Sequence, residues 1–400
     1  MNTTFRINIL RVSALILIAV SLLTVALCGC EYREEPSPAP PTEPVEYFTK
    51  TFGDPDLVEY NALDYLEAPA FSTLKLYKAE MDKMVSYDLA SAVLNSAEYD
   101  TFSEAGSATV AWFDTANVNY KGRLKDESIE VSDDTMAGMD NTAQTSGYSL
   151  VIGSASFIGA YFGDKGVQND GFEEQLIGMS VGETKEITVT FPDEYSNEEL
   201  RSLEVIFTVT VNSLKRPKVE SFIPTDEQTK KITDGIHETT AAYKEHLENY
   251  YKGVLSYDIV YKSINVKETC SAIVDIYVDM YIHEYVVYTK GEQITQAEYD
   301  AAYAELKQSM YSAAYDAAVA ETKEYMITRY LFEYFEIVIT DEEFNARVEE
   351  IYTENEAYYN YYGIDSVEAF VEYFSRNTLE ISFKNEKLLE VIGDAVTIVE

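Results

Sequence analysis

The chain has 400 residues, and its 70 acidic against 30 basic side chains give a formal net charge of -40 at pH 7. A negative field of that size excludes nucleic-acid binders and proteins that grip anionic lipid headgroups, since both need positive potential. A hydrophobic content of 46% with 33 tyrosines excludes an acidic disordered chain, and the length leads us to expect two or three folded units.

Residues 1–29 come first in chain order and are expected as a targeting segment. Arg6 and Arg11 supply a positive n-region, residues 12–27 an apolar h-region, and Leu27-Cys28-Gly29-Cys30 a small-residue cleavage site. This pattern reads as a bacterial lipoprotein signal, with Cys30 the lipidated first residue of the mature chain. The alternative is a transmembrane anchor, because the apolar run approaches the ~20 residues that span a bilayer. Residues 30–50, with Pro36-Ser37-Pro38-Ala39-Pro40-Pro41, are too poor in apolar side chains to fold and are expected as a flexible tether. The working part is therefore expected at the extracytoplasmic face of a cell membrane, held through the Cys30 lipid. Cys28 would leave with the signal, and Cys270, in Thr269-Cys270-Ser271-Ala272-Ile273-Val274, is expected as a small buried hydrophobe.

A helical stretch follows near residues 74–94, where Leu74, Tyr77, Met81, Met84 and Leu89 suggest one apolar face. From about residue 108 to 216 the pattern turns to strands. Val118 and Tyr120 alternate with polar residues, as do Ile187, Val189 and Phe191, then Val205, Phe207, Val209 and Val211. A period of two with one apolar face predicts an antiparallel sheet packed on a single side. Residues 172–179 are the place for a short helix that such a sheet wraps around. From residue 217 to 400 the signals are helical. Thr225 with Gln228, Thr295 with Glu298 and Thr340 with Glu343 have the spacing of capping boxes. Residues 295–344 lack Gly and Pro, so one long helix or two abutting ones are expected there, with Pro224 and Gly291 at boundaries.

The phrase Gly171-Phe172-Glu173-Glu174-Gln175-Leu176-Ile177-Gly178, followed by Gly182-Glu183 and Phe191-Pro192, resembles the FKBP-type peptidyl-prolyl cis-trans isomerase domain, in the variant carried inside trigger factor. The resemblance implies an α+β architecture: an FKBP-like antiparallel sheet wrapped on a short helix over residues 108–216, and an all-α, trigger-factor C-terminal-like helical domain over 217–400. It also implies that residues 51–107 are a short helical adaptor. The stretch lacks the GFRxGK-type loop by which cytosolic trigger factor holds the ribosome, so no ribosome docking is expected.

By the same resemblance, Tyr120, Asp140, Ile158, Phe172, Tyr195 and Phe207 take the catalytic positions, and Met139, Tyr148 and Phe157 line the substrate pocket. Ile158 corresponds to the residue whose backbone N–H binds a substrate carbonyl, and Phe172 to the pocket floor. Met139 stands where the family has an aromatic residue. Extra residues lie around 125–137 and 159–171. Each aromatic taken singly would equally serve as core on a one-sided sheet, and Asp140 would equally serve as a turn residue.

X-Pro rotation breaks amide resonance against a barrier of ~18–20 kcal/mol, and a dry pocket that favours the twisted amide can catalyse it without a strong base. The three histidines, His237, His246 and His283, all lie in the helical half without metal-ligand spacing, and no CxxC, HExxH or GxxxxGK[ST] occurs. No cofactor or metal is expected. Tyr299 with Tyr303, and Tyr311 with Tyr315, share helix faces at a spacing of four. They serve either as arm packing or as a surface for clients. The function expected is a lipid-anchored foldase that isomerises X-Pro bonds and holds unfolded or nascent secreted proteins containing proline. A non-catalytic holdase or binding lipoprotein with a degenerate FKBP-like module is the alternative. A solute-binding lipoprotein is a third, but its βαβ repeats are not visible.

Overall fold

The computed structural model describes residues 52–95, 97–154, 157, 161–162, 168–169, 171–192, 195–291 and 294–400. The targeting segment, the tether, Cys30 and Ile158 lie outside them. The chain is α+β and divides into two compact units, Ser72–Ser256 with Val396–Glu400, and Met1–Phe71 with Tyr257–Ala395. No helix among the described residues is long and apolar enough to cross a membrane.

In the first unit, helix α1 (Lys78–Leu94) precedes an antiparallel sheet of β1 (Tyr99–Phe102), β2 (Thr115–Leu124), β3 (Tyr148–Val151), β4 (Thr184–Thr190) and β5 (Glu204–Pro217). β5 is the axis. One edge pairs along β2, and the other pairs with β4 and then β1. The first four residues of β2 also pair with β3. Side chains alternate along each strand, so Val118 and Tyr120, Ile187 and Val189, and Val205, Phe207, Val209 and Val211 all bury the same face. The register slips between Asn117 and Val118, and the extra residue, Asn212, donates its side-chain amide to Asn117 and Asn119.

The strand connections carry two helices, α2 (Asp133–Gly138) and α3 (Phe172–Gln175), and α3 packs onto the buried face. Phe172, Leu176, Met179 and Val181 join the strands in one core. Residues 99–102 fall within the stretch expected as a helical adaptor, yet they form a strand on the sheet. In α1 the buried stripe runs Met81, Val85, Leu89 at a spacing of four, with Val85 in place of the Met84 expected there. That stripe meets Leu247 of α5 (Thr240–Ser263), which follows α4 (Asp226–Ile232). The C-terminal strand Thr397–Val399 returns to pair in parallel with Lys75–Tyr77.

The second unit is helical. α6 (Ser271–Lys290) lies along α7 (Gln296–Tyr334), whose 39 residues extend roughly 58 Å at 1.5 Å each. Gly291 ends α6, and Thr295 opens α7. α8 (Asp341–Glu354), α9 (Glu356–Tyr361), α10 (Val367–Phe374) and α11 (Arg376–Ile392) close on a second core of Phe344, Val348, Tyr352, Phe370, Leu379 and Phe383. All three capping boxes form, at Thr225, Thr295 and Thr340, each satisfying two otherwise open backbone donors. Cys270 is buried, with its backbone N–H against the sulfur of Met326.

Candidate active site

Five aromatic rings from five places in the chain meet over the buried face of the sheet. Tyr120 comes from β2, Phe207 from β5, Phe172 from the first turn of α3, Phe157 from the connection after β3, and Phe191 from the residue after β4. Phe172 is fully buried at 0% exposure and forms the floor. Its ring centre lies 4.7 Å from Phe157, 5.4 Å from Phe207 and 5.9 Å from Tyr120, each edge to face. These are the separations aromatic pairs prefer. Tyr120, 8% exposed, also meets Phe207 at 5.9 Å and Phe157 at 5.4 Å.

The rim is less enclosed. Tyr148 is 36% exposed and faces Phe157 at 5.4 Å and Tyr120 at 6.2 Å. Tyr195, half-buried, stacks edge-on against Phe191 at 4.6 Å. Burial raises the pKa of both Tyr120 and Tyr195 above the ordinary phenol value. The result is a largely buried aromatic bowl with tyrosine rings at its wall and rim.

The structure brings Tyr120, Phe157, Phe172, Phe207, Met139 and Tyr195 into or against one core, with Tyr148 at its rim. Asp140 is held by polar partners. Its carboxylate accepts the backbone N–H and hydroxyl of Thr142 and pairs with Lys121 at 2.9 Å. Those hydrogen bonds hold its pKa down to about 2. Its placement is that of a turn residue.

Residues 106–212 match the family model of the FKBP-type peptidyl-prolyl cis-trans isomerase. Among similar proteins, the trigger factor of Macrococcus caseolyticus (strain JCSC5402) is 33% identical over 163 residues, 41% of this chain and 32% of that protein. The trigger factor of Pelotomaculum thermopropionicum is 34% identical over 164 residues, 40% of this chain and 32% of that protein. That of Staphylococcus aureus (strain JH9) is 38% identical over 134 residues, 34% of this chain and 25% of that protein. The chain carries a trigger-factor-like FKBP-type domain. It spans about a third or less of the length of the curated relatives it matches. A solved structure of the trigger factor chaperone overlaps 82% of this chain and 72% of its own at 14% identity. Its TM-score of 0.23 is too low to define a shared fold.

Three residues of the FKBP-type domain that the sequence did not single out shape its bowl. The buried side chain of Asn141 accepts the backbone N–H of Tyr120 and donates to the carbonyl of Val118 in β2. Gly122 lies opposite Phe207, and a Cβ there would come within 2.8 Å of that ring and 3.0 Å of Met139. Glu173 is buried beside the floor and bonds the connection that carries Phe157. Local sequence holds no signal for it, because its neighbour Glu174 has the same chemistry yet pairs with Lys83 of α1.

Proposed function

We propose that the chain is an extracytoplasmic foldase, lipid-anchored through Cys30, whose FKBP-type domain accelerates rotation about X-Pro bonds in unfolded secreted clients while the helical unit holds them. The observation that carries the reading is the closure of Tyr120, Phe157, Phe172, Phe191 and Phe207 into one bowl within the family-matched segment. An amide carbonyl stripped of water there loses the solvation that favours its planar, polar form. The twisted amide, with less charge separation, is the better guest, and binding it preferentially lowers the barrier. A phenol at the wall donates to the carbonyl without any proton leaving the protein.

The activity is tested with Phe172→Leu and Tyr120→Phe in a proline-limited refolding assay run beside an aggregation assay. We expect isomerase rates to fall about tenfold or more, the scale of a lost pocket contact, with suppression of aggregation unchanged. Full isomerase rates in both variants would remove the bowl from the mechanism. Anchoring is tested by metabolic labelling with an alkynyl fatty acid. Label on the wild type and none on Cys30→Ser is the expected result, and an equal signal in both would refute it.

One observation favours a second reading, an FKBP-like module that binds without turnover. The carboxylate of Asp140, expected at a catalytic position, is engaged by Lys121 and Thr142.

A further inference from the structure

Glu173 follows the floor residue directly and is 0% exposed. One of its carboxylate oxygens accepts the backbone N–H of Gly153 at 2.9 Å. The other accepts the backbone N–H of Phe157 at 3.0 Å and the hydroxyl of Ser154 at 3.3 Å. Burying a carboxylate is costly unless donors replace its water, and here backbone and side-chain donors do so. A carboxylate is an acceptor on both oxygens, so this one side chain can hold two points of the connection at once. The second of these points is the residue whose ring meets Phe172 at 4.7 Å. Gly153 is fixed from its other side as well. Its φ is +93°, and a Cβ there would come within 2.6 Å of the Trp112 ring.

We propose that Glu173 is a positioning residue for the bowl. It touches no substrate, but its carboxylate sets the distance between the Phe157 wall and the Phe172 floor, and so sets how tightly the twisted amide is held. The proposal rests on the isomerase reading of the FKBP-type domain. Charge is what the position requires, because charge-assisted bonds to backbone N–H groups are stronger than neutral ones. Glutamine has the same shape but only one acceptor oxygen. Its amide nitrogen would face an N–H donor, so one of the two anchors must release.

The test uses the chain from Glu31 onward as wild type, Glu173→Gln and Glu173→Asp, with Leu214→Val as a stability control in the same core. Three quantities are read: kcat/KM for a prolyl peptide, hydrogen exchange at the Gly153 and Phe157 amides, and the urea midpoint. For Glu173→Gln we expect exchange at one or both amides to rise, and kcat/KM to fall, each by about tenfold. Glu173→Asp, which keeps both acceptor oxygens, should recover part of each. Leu214→Val should lower the midpoint and leave kcat/KM unchanged. Unchanged exchange in Glu173→Gln would overturn the clamp. Faster exchange with unchanged kcat/KM would overturn its role in positioning while leaving the isomerase reading intact. A wild type with no isomerase activity would overturn that reading and the proposal with it.

Discussion

The side-chain oxygen of Asn141 accepts the backbone N–H of Tyr120 at 2.6 Å, and its amide nitrogen donates to the carbonyl of Val118 at 3.2 Å. The backbone N–H of Asn141 in turn donates to the carbonyl of Tyr120 at 3.0 Å. Strand β3 pairs with β2 only as far as Val118, and Asn141 takes over beyond it. One side chain thus finishes the sheet edge at the residue that forms the bowl wall.

Asn141→Ala would strand a buried N–H and a buried carbonyl. An unmade buried hydrogen bond costs about 1–3 kcal/mol, so we expect a loss of about 2 kcal/mol or more, measured from the urea midpoint of the FKBP-type domain. A loss below about 0.5 kcal/mol would show that water or a shifted backbone serves Tyr120 equally well.

Gly122→Ala tests the closeness of the bowl wall. Gly122 faces Phe207 with no space for a methyl group. Overpacking of this kind typically costs about 1–3 kcal/mol, and the new Cβ would press on Phe207 and Met139. We expect lower stability and reduced isomerase turnover together. An unchanged rate would mean that the wall can give without consequence.

The isolated sheet has a definite start. β1 pairs Tyr99 with Pro217 and Phe102 with Leu214, and the N–H of Lys218 donates to the carbonyl of Glu98 at 2.7 Å. A segment of residues 98–218 is therefore expected to unfold at higher urea than one of residues 108–216, in which the end of β5 from residue 214 on has lost its β1 partner. Equal midpoints would show that β1 adds nothing to the sheet.

Asp140 gives a pH signature. Its folded-state pKa lies at about 2, below the ordinary 3.8, because Thr142 and Lys121 bond the ionised carboxylate. A depressed carboxylate pKa adds stability that is present above 3.8 and is lost as pH falls through about 2. Carboxyl-carbon NMR should show the Asp140 midpoint in that low range, and Asp140→Asn should flatten the stability profile between the two values. A midpoint near 3.8 would contradict the bonded turn.

The sheet was legible because Val205, Phe207, Val209 and Val211 alternate on a surface with one wet side, so burial and sequence share a period of two. The capping boxes at Thr225, Thr295 and Thr340 were legible because donor and acceptor lie three residues apart. β1 was not, since Tyr-Asp-Thr-Phe carries no apolar alternation, and its burial pattern in the sheet is largely exposed. Glu173 and Asn141 were hidden for a different reason. Their partners lie 16 to 23 residues away, so nothing local separates a buried Glu173 from its neighbour Glu174. In α1, Met84 and Val85 are both apolar, and only packing against Leu247 chooses between them.

Catalysis by the bowl is tested by proline-limited refolding of a slow-folding substrate protein, with the chain from Glu31 onward added at increasing concentration. The slow-phase rate constant should rise in proportion to the amount added. A rate constant that stays flat while aggregation is still suppressed would contradict the claim and leave a protein that holds its clients without turning their prolines.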